Sequence, residues 1–138
     1  MDNLHRAIVS VLIDGDDLQP SEITTLLGQA PRLGVSKGQS FTTSHGQQTV
    51  AATGLWQYGA AWEFEPDLNQ QIGLVLSSLT SDLSAWTEVT RRYNCYVAIG
   101  GYFHDWTGGL TLEPGTLQLL AERNLAIDLD LYAPAASA

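Results

Sequence analysis

The chain has 138 residues, of which 44% are hydrophobic, and a formal net charge of −9. That length suits one domain able to bury a core without covalent staples. Six Lys and Arg stand against fifteen Asp and Glu, with no basic run, so the chain lacks the cations that phosphate backbones demand and no nucleic-acid partner is expected.

The N-terminus, Met1-Asp2-Asn3, leads straight into a patterned strand without a charged-then-apolar signal segment. No apolar run approaches the roughly 20 residues that span a bilayer. A cytoplasmic protein without a membrane partner is the expectation. Residues Ala7–Ile13 alternate: Ala7, Val9, Val11 and Ile13 share an apolar face, while Arg6, Ile8, Ser10, Leu12 and Asp14 share a mixed one. The strand stops at the turn-forming run Asp14-Gly15-Asp16-Asp17. Pro20 then suits the first position of a helix, Leu18 and Ile23 fall at the positions of a hydrophobic staple, and Gly28 supplies the stop.

Residues Ala30–Gln48 are punctuated by Pro31, Gly34, Gly38 and Gly46. They read as a short extended piece at Arg32–Val35 followed by a polar hairpin or loop. In Thr49–Phe64 the aromatics Trp56, Tyr58, Trp62 and Phe64 share one strand face if the strand is continuous, with a bulge at Gly59 as the alternative. Asp67–Leu79 carries Leu68, Ile72, Val75, Leu76 and Leu79 on one helical stripe. Ser81 is the expected cap of the next helix, with Leu83, Trp86, Val89 and Tyr93 facing inward. Arg91 and Arg92 suit its negative pole.

Tyr93, Cys95, Val97 and Ile99 form the inner face of a strand running Tyr93–Gly100. Cys95 is the single cysteine, so it reads as a core thiol, with no disulfide or thiolate cluster in reach. A loop over Gly101–Gly109 follows. Leu112 and Leu117 then bracket Pro114 as a second staple, at the spacing of Leu18, Pro20 and Ile23. Asn124 suits the left-handed position after the helix, with Leu125 packing back on Leu120. The last strand, Ala126–Tyr132, is expected to bury Ile127, Leu129 and Leu131 and to turn Asp128, Asp130 and Tyr132 outward.

Two strand-to-helix units flanking a helical pair predict an α+β fold: a mixed, mainly antiparallel sheet with helices packed on one face and two related βαβ-like halves. The domain spans residues 1–132, and 133–138 form a flexible tail.

The run Asp14-Gly15-Asp16-Asp17-Leu18-Gln19-Pro20-Ser21-Glu22-Ile23-Thr24-Thr25-Leu26-Leu27-Gly28 resembles the opening of a bacterial family known as domain of unknown function 4279. Lys37-Gly38, Gly54-Leu55-Trp56, Gly108-Gly109-Leu110-Thr111-Leu112 and Ile127-Asp128-Leu129-Asp130-Leu131-Tyr132 are similar to its later landmarks. Gln19 departs from the acidic residue usual there before the proline. The resemblance covers nearly the whole chain and supports the fold, and it brings no established activity with it.

Three groups of residues carry candidate chemistry. Asp14, Asp16 and Asp17 offer hard oxygen ligands, but the run lacks the twelve-residue loop and closing Glu of an EF-hand, so it reads as turn and cap. His104-Asp105-Trp106 sits in the Gly-rich loop, and a His held by a carboxylate can act as base or ligand. If Ala7–Ile13 and Tyr93–Ile99 are neighbouring parallel strands, His104 and Asp105 approach Asp16 and Asp17. Asp128 and Asp130 lie about 7 Å apart along one strand face, an exposed surface pair. Ser44-His45 has no third partner, and the glycine pairs lack phosphate-loop spacing. No catalytic set, metal or cofactor is assigned.

The leading expectation is a non-enzymatic binding domain, in concrete form an acidic immunity- or antitoxin-like protein that occludes a basic partner. Its surface is Asp14, Asp16, Asp17, Tyr96, Asp128, Asp130 and Tyr132, with the His104, Asp105 and Trp106 loop alongside. The alternatives are a small-ligand or metal-dependent hydrolase using His104 and Asp105, and a structural module that homodimerises through a strand edge.

Overall fold

The computed structural model describes residues 3–134. The order is β1 (Leu4–Gly15), α1 (Pro20–Leu27), β2 (Leu33–Val35), β3 (Ser40–Thr42), β4 (Gln48–Val50), β5 (Gly54–Phe64), α2 (Leu68–Ser77), α3 (Leu83–Arg92), β6 (Asn94–Phe103), α4 (Pro114–Glu122) and β7 (Ala126–Tyr132). The expected tail over 133–138 falls mostly outside the described residues.

One five-stranded sheet has the order β2-β5-β1-β6-β7, and β3-β4 make a separate hairpin. Every neighbouring pair in the large sheet is antiparallel except β6-β7. The connections make three strand-helix-strand units. In the first, β1-α1-β2, strand β5 lies between the two parallel strands. In the second, β5 to β6 through α2 and α3, strand β1 lies between. In the third, β6-α4-β7, the strands are direct neighbours. Two interlocked split βαβ units carry one added strand, which is the expected α+β architecture with related halves.

The inner sheet face buries Ala7, Val9, Val11 and Ile13 of β1, Trp56 of β5, and Cys95, Val97 and Ile99 of β6. Against it pack Ile23 and Leu27 of α1, Leu68, Ile72 and Leu76 of α2, Trp86 and Val89 of α3, and Leu120 of α4. Leu18 and Ile23 are fully buried, so the first staple forms. Gly28 takes a left-handed conformation (φ 90°) and its N–H donates to the Thr24 carbonyl.

Four local expectations are corrected. Asp82, not Ser81, caps α3, accepting from the Ser84 amide at 2.9 Å; a carboxylate is as good a cap as a hydroxyl and stands one residue nearer the helix. Leu83 is exposed because it opens that helix on the solvent side. Leu117 is 48% exposed, so the second staple does not close; Thr116 and Leu120 face inward instead. Leu129 is 46% exposed, because β7 is an edge strand that no helix fully covers.

Candidate functional site

All four helices pack on one side, which leaves the other face of the sheet without a helical layer. Register puts the side chains of that face in rows. Asp14 stands opposite Asn94, Leu12 opposite Tyr96, Ser10 opposite Ala98, Ile8 opposite Gly100, and Arg6 opposite Tyr102. On the far side, Ala98, Gly100 and Tyr102 stand beside Asp128, Asp130 and Tyr132 of β7. Five of the residues singled out from the sequence, Asp14, Tyr96, Asp128, Asp130 and Tyr132, therefore share one surface. Small residues at Ser10, Ala98 and Gly100 keep its middle low. A Cβ at Gly100 would meet the Ile8 Cγ2 at 3.1 Å.

The aromatics of β5 divide between the two faces. Gly59 and Ala60 have positive φ (91° and 75°) and the pairing shifts there. This bulge keeps Trp56 and Tyr58 on the inner side and turns Trp62 and Phe64 to the open one. Trp62 joins an aromatic row across four strands. The Arg6 guanidinium lies 4.8 Å from the Trp62 ring centroid and 4.3 Å from that of Tyr102. The Tyr102 and Tyr132 rings are 5.4 Å apart. Arg6, Trp62 and Tyr102 were not singled out from the sequence as site residues. Trp62 carried a signal in the bulge at Gly59; Tyr102 lay in what read as loop.

Electrostatics follow from this arrangement. The Tyr96 hydroxyl is pushed above its ordinary pKa by burial, then by the Asp14 and Asp128 charges. The Tyr132 hydroxyl is raised too, chiefly because it hydrogen-bonds to Asp130. The Asn94 amide donates to Asp14 at 3.2 Å. At the β1–α1 corner, hydrogen bonds from Thr53 and Lys37 hold the Asp16 carboxyl below its usual value, and Lys37 Nζ lies 3.3 Å from it. Asp16 is thus an ion-paired corner residue, and Asp17 is an exposed turn residue. The hairpin β3-β4 and the adjoining sheet residues flank an open cleft of about 390 Å³ lined by Asp14, Val35, Phe41, Val50, Ala51 and Leu55.

The expected meeting of His104 and Asp105 with Asp16 and Asp17 does not occur. It required β1 and β6 to be parallel, and they are antiparallel. The end of β6 therefore lies beside the start of β1: the His104 amide donates to the Asn3 carbonyl at 3.0 Å. Asp16 and Asp17 lie past the other end of β1. Asp105 is exposed, and Trp106 is 79% exposed.

His104 does find a carboxylate, but just past the end of another strand, β5. Its Nε2 lies 2.8 Å from Glu65 Oε1, and His5 Nδ1 lies 3.5 Å from the same oxygen. The His5 and His104 rings are edge to face, 4.8 Å between centroids. The hydrogen bond from His104 is the main cause holding the Glu65 carboxyl below its usual value. The three residues sit at the adjacent ends of β1, β5 and β6. Glu65 carried no sequence signal, and His5 lies just outside the alternating run that begins at Ala7. A cavity of about 220 Å³ lined by His5, Arg6, Phe64, Tyr102, Phe103 and Pro134 connects this rim to the aromatic row.

Among the described residues, no helix is long and apolar enough to cross a membrane. A family model described as "Domain of unknown function (DUF4279)" matches residues 4–134. No curated protein and no solved structure matches the chain.

Proposed function

The chain belongs to the family of domain of unknown function 4279, and we propose that it is a non-enzymatic protein-binding domain whose open sheet face receives a basic partner. The observation that carries this reading is Arg6, a guanidinium held against both the Trp62 and the Tyr102 ring. The same row continues to Tyr132, beside which Asp130 and Asp128 are exposed. Neither aspartate forms a salt bridge among the described residues. An aromatic row next to carboxylates outside any salt bridge suits the Arg and Lys side chains of a partner. The net charge of −9 adds long-range attraction that speeds encounter. The apolar cleft beside Asp14 offers an anchor point for one aliphatic or aromatic side chain. In its finer form the domain is immunity-like: it covers a basic partner's working surface. A buried free thiol at Cys95 suits a reducing compartment, which supports a cytoplasmic setting.

The test is co-purification from the native host at low salt, repeated with the Asp128→Lys/Asp130→Lys variant. A basic protein that is captured by the wild type, is released by salt and is lost in the variant supports the reading. Recovery of the chain alone, or capture unchanged in the variant, overturns it.

A second reading, self-association through β7, has one observation in its favour. That edge strand leaves Leu129 46% exposed, and a free strand edge with an apolar side chain is a template for pairing. A monomeric mass in solution at high concentration removes it.

A further inference from the structure

We propose that His5, Glu65 and His104 form a mononuclear binding site for a borderline transition-metal dication of the zinc type. Two imidazoles and a carboxylate are a donor set suited to such ions, and three protein ligands leave coordination positions open. The ligand atoms of all three lie within 4.8 Å of one another. In a tetrahedral zinc site, metal–ligand distances near 2.0–2.1 Å set the ligands about 3.3 Å apart. Glu65 Oε1 already stands 2.8 Å and 3.5 Å from the two imidazole nitrogens, so the first of these contacts must open by about 0.5 Å and the nitrogens must close on each other. Side-chain rotation supplies that, because all three residues are exposed.

The backbone under these side chains is tied down. His5 is the extra residue of a register shift, since Leu4 pairs with Phe103 and Arg6 with Tyr102. A bulge of this kind re-aims one side chain away from the alternating pattern, here toward the strand ends. Glu65 takes a left-handed conformation (φ 47°), and its amide donates to the His5 carbonyl at 2.8 Å. The loop that carries His104 is fastened to Asn3. The Asn3 amide donates to the Thr107 carbonyl at 3.1 Å, and the Gly109 amide donates to Asn3 Oδ1 at 3.0 Å. Gly108 permits this closeness, because a Cβ there would meet Asn3 Oδ1 and the Phe103 ring at 2.4 Å. Three strand ends are thus held together by main-chain and amide bonds that do not involve the side chains of the three proposed ligands. A preset framework of this kind lowers the ordering cost of binding an ion.

The cavity lined by His5, Arg6, Phe64 and Tyr102 lies beside the site, so a ligand of the open coordination positions has room there. An ordinary surface ion pair between His104 and Glu65 is the competing explanation. It predicts no dication affinity and no role for His5.

The experiment titrates untagged protein with zinc near neutral pH, by calorimetry and by dialysis with metal analysis. One zinc per chain is expected, with affinity lowered at least about tenfold in His5→Ala and in His104→Ala. Full binding is expected in His45→Ala, and magnesium at the same concentration should not compete. X-ray absorption should report two imidazole nitrogens and a carboxylate oxygen on the bound ion. Absence of binding to the wild type overturns the proposal. So does stoichiometric binding that persists in the His5→Ala/His104→Ala double variant. If either single variant misfolds by circular dichroism, the His104→Gln variant, which keeps a polar side chain of similar reach, decides in its place.

Discussion

Ile8 stands opposite Trp62 while Ser10 stands opposite Gly59. A step of two residues on β1 thus matches a step of three on β5, and the surplus residue is accommodated where Gly59 and Ala60 adopt positive φ. This single shift decides which aromatics serve the core and which serve the open face.

The bulge makes a stability prediction of defined sign. Ala60 holds a left-handed conformation (φ 75°), which costs a residue with a Cβ roughly 1 kcal/mol. Ala60→Gly should therefore stabilise by about 1 kcal/mol, read as a higher denaturant midpoint with an unchanged slope. Gly59→Ala should do the reverse, since its Cβ would meet the Val9 carbonyl oxygen at 2.9 Å at φ 91°.

Trp86 anchors α3. It is fully buried and its Nε1–H donates to the Thr80 carbonyl at 2.8 Å. Trp86→Ala should cost about 3–5 kcal/mol through the cavity it leaves. Trp86→Phe keeps most of the volume but strands the carbonyl, for a smaller loss of about 1–3 kcal/mol. Chemical denaturation of the two variants checks both the size and the order.

The Cys95 thiol is pushed from 9.0 up to about 12, first by burial and then by the Asp14 charge. At pH 8 its thiolate fraction is then about a thousandfold below that of an ordinary thiol. Native protein should resist thiol reagents that label the unfolded chain at once. The folded state binds the thiol proton more tightly than the unfolded state does. Its contribution to stability is therefore whole below about pH 9 and declines as pH rises from 9 toward 12. Urea melts at pH 8 and pH 10.5 should show lower stability at the higher pH. Cys95→Ser, which does not ionise in that range, should show less of the decline.

Arg6 should matter through stacking more than through charge. Its guanidinium faces two rings, an arrangement worth about 0.5–1 kcal/mol when partly exposed. Arg6→Ala should lose about that much. Arg6→Lys should recover less than half, because an ammonium lacks the planar face that a guanidinium lays on an aromatic ring. If the open face works as proposed, Arg6→Ala also frees Trp62 and Tyr102, and adding free arginine should shift tryptophan emission more in that variant than in the wild type.

Much of the fold was legible locally. The alternation of Ala7, Val9, Val11 and Ile13, and of Tyr93, Cys95, Val97 and Ile99, identified two inner strand faces that are buried as expected. Leu18, Pro20 and Ile23 marked a helix start, and Asn124 does take the left-handed position (φ 57°). These features depend on neighbours within a few residues, so a single stretch of chain carries them. The same holds for the open face: once β1, β6 and β7 alternate, Asp14, Tyr96, Asp128, Asp130 and Tyr132 must lie on outward sides.

Strand direction could not be read that way. A period of two is the same in parallel and antiparallel pairs, so the alternation of β1 and β6 was silent about which ends meet. That one choice moved His104 from the aspartates of the first turn to His5 and Glu65. A bulge at Gly59 was legible from its glycine, but what the bulges do to the neighbouring side chains was not, for a related reason. Which residue is surplus depends on the partner strand's register, so the outward turn of Trp62 and the re-aiming of His5 exist only once β5, β1 and β6 are paired. Local patterning settled the strands, the helices and the outward acidic residues. Pairing direction and register, which join residues far apart in the chain, settled that Arg6 lies against two rings and that two histidines share one glutamate.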